Sequence, residues 1–151
     1  MKNQKGRSYL LILSLLFSIN LFTNSLRVEV SFGEFLDKIS ILKIKSERIS
    51  DEAKLKNIHT ELDSLLVTYK EFIQPTNELK NLEVDLKKIN EALWEIEDDI
   101  REKESNKAFD DGFIKLARSV YLTNDDRSRV KREINQLLGS RLIEEKSYKQ
   151  Y

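Results

Sequence analysis

The densest run of chemically capable side chains is Trp94-Glu95-Ile96-Glu97-Asp98-Asp99-Ile100-Arg101. On a helix, spacings of three and four bring Trp94, Glu97, Asp98 and Arg101 to one side, because residues so separated are surface neighbours. Carboxylates beside an indole and a guanidinium suit a divalent cation, a sugar or a cationic group of a partner. The plainer account is a solvated acidic face carrying a Glu97–Arg101 pair, worth roughly a few tenths of a kcal/mol.

A second set comprises Arg118, Tyr121, Asn124, Arg127, Lys131, Arg132 and Asn135. Arg127, Lys131 and Asn135 step by four and so fall in one line along a C-terminal helix. The sequence places Arg127 in the first turn of that helix, where free backbone amides attract anions. A guanidinium fork there would grip a phosphate or carboxylate. The plainer account has these charges solvating the helix and pairing with Asp125, Asp126 and Glu133. Glu34, Lys38, Lys45 and Arg48 make a third polar strip, a solvated face with an i,i+4 Glu34–Lys38 pair.

Several chemistries are excluded or unsupported. The chain has no cysteine, which removes disulfides, thiolate metal sites and cysteine nucleophiles. Its single histidine, His59, cannot build a multi-histidine metal centre and falls on the polar side of a helix. No phosphate-binding glycine loop, dinucleotide fingerprint or serine triad is present. The reading therefore includes no metal and no cofactor. Lys+Arg and Asp+Glu balance at 26 each, without the electrostatic footprint of a general nucleic-acid binder, so no nucleic-acid partner is expected.

The elements that must position these clusters are helices. Four glycines and one proline in 151 residues argue against a many-stranded fold. Ser31-Phe32-Gly33-Glu34 fits a capping box, followed by the apolar stripe Phe35, Ile39, Leu42 and Ile49. Ser50, with Asp51 and Glu52 after it, opens a second helix with the stripe Leu55, Ile58, Leu62, Leu65, Tyr69 and Phe72. Pro75 ends it and Thr76 caps the next. The third stripe is an unbroken three-four alternation, Leu79, Leu82, Leu86, Ile89, Leu93, Ile96 and Ile100. Roughly 25 such residues span about 40 Å.

The expected fold is all-α. The second and third helices form a long antiparallel, coiled-coil-like hairpin about Pro75, and the N-terminal helix packs along it. Two shorter helices follow. One is marked by Phe113, Leu116, Ala117 and Val120. The other is capped at Thr123 or Asn124, carries Val130, Ile134, Leu137 and Leu138 inward, and stops at Gly139. Full cover for the long third stripe suggests a homodimer.

The chain divides into a signal-like leader over residues 1–26 and one helical domain over 27–151. Lys2, Lys5 and Arg7 precede an apolar run, Tyr9 to Phe22, and the small polar residues Thr23-Asn24-Ser25 follow. That is the layout of an export signal, and the run is too short for a bilayer span of about 20 residues. The competing reading is a start misplaced upstream of a domain beginning near Leu26 or Val28. Membrane contact, if the leader is retained, would come through residues 9–22.

Four segments, in order, carry a resemblance. They are Val28 to Ile49, Trp94 to Arg101, Phe113 to Arg127, and Glu144-Glu-Lys-Ser-Tyr148. Together they resemble a bacterial family known as domain of unknown function 6165, across nearly all of residues 28–151. The resemblance implies a domain without an assigned reaction, found near glycosyltransferase and surface-polysaccharide genes. Members begin near Val28, which implies a cytoplasmic protein in place of an exported or membrane-associated one. The recognisable segments coincide with the two polar clusters.

Two functions are consistent with these readings. One is a non-catalytic binding or adaptor protein for glycan assembly, recognising a phosphorylated sugar or a protein partner. The other is a small all-helical enzyme with Glu97 or Asp98 as acid and base, and Arg118 and Arg127 clamping an anionic substrate. Whether the Trp94–Arg101 and Arg118–Asn135 faces line one pocket decides whether they act together.

Overall fold

The computed structural model describes residues 26–147 and 149. The apolar run of the leader and Tyr148 lie outside the described residues. The fold is all-α, with four helices among the described residues: α1 (Phe32–Arg48), α2 (Glu52–Phe72), α3 (Asn77–Ser105) and α4 (Asp111–Leu137). Each begins at a side-chain cap that accepts a first-turn amide. Ser31 Oγ accepts from Glu34 N at 3.2 Å, Thr76 Oγ1 from Leu79 N at 3.1 Å, and Asp110 Oδ1 from Phe113 N at 3.0 Å. Asp51, one residue beyond the expected Ser50, accepts from Lys54 N at 2.9 Å.

Two expectations are corrected. The two shorter C-terminal helices are one helix, α4, continuous from Asp111 to Leu137. Cap-forming residues in Thr123-Asn124-Asp125-Asp126 do not break it, because no glycine or proline forces a stop. Their side chains find partners within the helix instead. Asn124 Nδ2 donates to Val120 O at 3.0 Å, and Ser128 Oγ donates to Asn124 O at 3.0 Å. At the end of α4, Gly139 takes the left-handed conformation (φ 62°) expected of a helix stop.

The second correction concerns pairing. The helices that run closely along each other are α3 and α4, whereas α2 approaches only α1 at backbone range. Ile73 to Thr76 is extended, so the four-residue link about Pro75 lets α3 swing away from α2. A side-chain link remains between them. The Tyr69 hydroxyl donates to the Glu83 carboxylate, and burial together with that charge pushes its pKa up to about 12.

The hub is α1, which packs against all three other helices. Leu36, Ile39 and Leu42 join Ile58 and Leu62 of α2, Leu79 and Leu86 of α3, and Val130 and Ile134 of α4 in one core. A second stripe on α1, Gly33, Asp37, Ser40 and Ile44, is also buried. Its small and polar members allow close approach to α4. A Cβ on Gly33 would stand 2.4 Å from the Lys131 carbonyl oxygen, so only glycine fits there.

A cleft between α1, α3 and α4

Because α3 and α4 lie side by side, Asn124 and Arg127 of the second cluster meet the first. A cleft of about 500 Å³ is lined by Ile41 of α1, by Asn90, Leu93, Trp94, Glu97, Asp98 and Arg101 of α3, and by Asn124 and Arg127 of α4. The three-four spacing along α3 places Trp94, Glu97, Asp98 and Arg101 on its wall as expected. Arg48 lies over the Trp94 ring, 5.6 Å from its centroid, and is itself paired with Glu95. That cation–π contact fixes the indole against the end of α1.

The Glu97–Arg101 pair forms, with 3.2 Å between Oε2 and Nη2. Arg127 makes no hydrogen bond or ion pair with another described residue, although its charge helps to lower the pKa of Glu144. Arg127 stands in the middle of α4 and not in a first turn, so the expected free amides are absent around it. Any grip on an anion comes from its guanidinium. Among the described residues no group of three histidine or carboxylate side chains converges as a cation site.

Not all the expected residues face the cleft. Tyr121 lines an adjoining pocket, and Arg118 is exposed on α4 and belongs to neither. Lys131 and Asn135 are buried in the joint between α1 and α4. Asn135 Oδ1 accepts from Gly33 N at 2.7 Å, which satisfies an amide at the start of α1. Lys131 Nζ donates to Glu34 Oε2 at 2.6 Å and to Glu144 Oε2 at 2.9 Å, with Asp37 Oδ2 at 4.0 Å. Burial pushes the Lys131 pKa down, but its carboxylate partners outweigh burial and the net shift is upward. Glu34 is therefore taken by Lys131, and Lys38 pairs with Glu61 at 2.6 Å, in place of the expected Glu34–Lys38 pair.

Asn90 is the cleft residue that the spacing argument missed. It is 5% exposed, and its Nδ2 donates to Asp37 Oδ1 at 2.8 Å and Ser40 Oγ at 3.2 Å. Its Oδ1 has no partner. A buried carbonyl left without a donor costs about 1–3 kcal/mol, and Asn90 carries that cost at the wall of the cleft. The available signal was the second stripe on α1, whose Asp37 and Ser40 call for a polar partner from a neighbouring helix.

An all-helical domain with a mixed-charge cleft is the class that this geometry defines. Residues 26–151 match the family described as "Family of unknown function (DUF6165)", and the chain belongs to it. No curated protein and no solved structure matches the chain.

Proposed function

We propose that the chain is a non-catalytic binding protein that recognises a phosphorylated sugar in the α1–α3–α4 cleft. The observation that carries this reading is the convergence of Trp94, Glu97, Asp98 and Arg101 with Asn124 and Arg127 on one cleft, beside the unpartnered Asn90 Oδ1. Trp94 offers an apolar surface to a sugar ring, and Glu97, Asp98, Asn90 and Asn124 offer acceptors and donors to its hydroxyls. Arg127, which makes no ion pair with another described residue, supplies the fork that a phosphate needs. Surface-polysaccharide assembly, implied by the family resemblance, is the setting we assign to it, with the domain acting as an adaptor.

An enzymatic reading would use Glu97 or Asp98 as acid and base with Arg118 and Arg127 as clamp. Arg118 stands outside the cleft, and Glu97 is engaged with Arg101. Binding without turnover is the better account.

Thermal unfolding with glucose 1-phosphate, glucose and inorganic phosphate tests it. At a hundredfold excess over Kd a bound ligand adds about 2.7 kcal/mol, a rise of several degrees in Tm. Glucose 1-phosphate is expected to give that rise, glucose and phosphate less, and Trp94→Ala or Arg127→Gln to remove it. An unchanged Tm across hexose phosphates would discard the reading.

A further inference from the structure

Beside the cleft lies a second pocket of about 430 Å³, lined by Tyr121, Asn124, Asp125 and Arg127 of α4 and by Lys146 and Lys149 of the C-terminal segment. The two pockets share Asn124 and Arg127, which stand as a common wall. Their chemistry differs. The cleft carries Glu97 and Asp98, whereas the second pocket sets three cations against the one carboxylate of Asp125.

The cations are delivered by a built arrangement. The segment after α4 is clamped back onto it by Glu144 on Lys131 at 2.9 Å and Glu145 on Arg132 at 2.9 Å. Lys146, two residues after Glu144, is thereby held beside α4, where its ammonium meets Ser128 Oγ and lies 3.8 Å from Glu144 Oε1. Arg101 is committed to Glu97 at 3.2 Å, which leaves the guanidinium of Arg127 to meet a phosphate monoester's charge of about −1.5 to −2. Lys146 and Lys149 add cationic charge beyond the single guanidinium of Arg127, as a second phosphate requires.

We propose that the second pocket is a diphosphate subsite, so that the ligand class is a glycosyl diphosphate, with the sugar at Trp94 and the diphosphate running past Arg127 to Lys146 and Lys149. This rests on the reading of the cleft as a sugar site. It adds two binding residues, Lys146 and Lys149, and gives the C-terminal clamp a purpose.

Calorimetry on the full chain with UDP-glucose, glucose 1-phosphate and pyrophosphate tests it, using the wild type, Lys146→Gln/Lys149→Gln and Trp94→Ala. Each charge-assisted contact is worth about tenfold or more in Kd. UDP-glucose should bind at least about tenfold more tightly than glucose 1-phosphate, and the double lysine variant should erase that advantage while changing glucose 1-phosphate less than about twofold. Pyrophosphate should depend on the two lysines and not on Trp94. If the advantage of UDP-glucose survives in the lysine variant, the subsite is wrong, while a Trp94-dependent glucose 1-phosphate signal keeps the cleft reading. If no sugar phosphate depends on Trp94, both fall. A parallel arm with phosphatidylcholine vesicles carrying farnesyl diphosphate separates the sources. Lysine-dependent sedimentation with those vesicles and no heat from UDP-glucose assigns the subsite to a lipid-linked diphosphate, heat from UDP-glucose assigns it to a soluble one, and neither signal overturns it.

Discussion

Asn90 holds two donations, to Asp37 and Ser40, and one unpartnered carbonyl. Truncating it leaves the buried Asp37 carboxylate short of a donor. Asn90→Ala is accordingly expected to lower unfolding free energy by about 2 kcal/mol, read from the midpoint of urea denaturation. Its neighbours show what spacing can and cannot reveal. Trp94, Glu97, Asp98 and Arg101 were legible because a helix face follows from i,i+3 and i,i+4 alone. Lys131 and Asn135 satisfy the same arithmetic as Arg127 but are buried 7% and 2% exposed in the α1–α4 joint. Spacing along one helix does not record how deeply another helix covers it.

At the scale of elements, the starts of α1, α2 and α3 were readable to within a residue, whereas the start expected at Thr123 or Asn124 lies inside α4, and the pairing of the helices was not readable. Ser31, Thr76 and the stop at Gly139 are local chemistry. The pairing of α3 with α4 is decided by which apolar faces meet after the extended link about Pro75, a long-range matter. The docking of α1 on α4 depends on Gly33. Gly33→Ala must push the Lys131 carbonyl away and is expected to cost about 3 kcal/mol, lowering Tm without changing helix content in circular dichroism. The C-terminal clamp carries a pH dependence. The hydrogen bond from Lys131, acting against burial, holds the Glu144 carboxyl below its ordinary 4.5. Since the folded value is the lower one, the clamp contributes stability above about pH 4.5 and loses it as pH falls through the folded value. The heteronuclear NOE of the backbone amides of residues 141–147 should therefore fall on acidification. In Lys131→Met it should be low at neutral pH already, and equal values in the two proteins at pH 7 would count against the clamp.

For the molecule as a whole, the helical class and the two clusters came from composition and periodicity, while the hub role of α1 did not. A chain-order reading treats the first helix as one stripe packed along a hairpin. In the structure, Leu36, Ile39 and Leu42 bind the core, while Gly33, Asp37, Ser40 and Ile44 bury a second side. That central position brings Ile41 to the cleft and sets Asp37 under Asn90. The cleft is thus a property of three helices together, and its geometry depends on the whole core. Trp94 is the only tryptophan, so tryptophan emission excited clear of the tyrosines reports on the cleft. Titration of the full chain with glucose 1-phosphate should give a saturable change in Trp94 emission that is weakened about tenfold or more in Arg127→Gln. Flat emission in the wild type, or an identical titration in Arg127→Gln, would contradict a single site shared by α3 and α4.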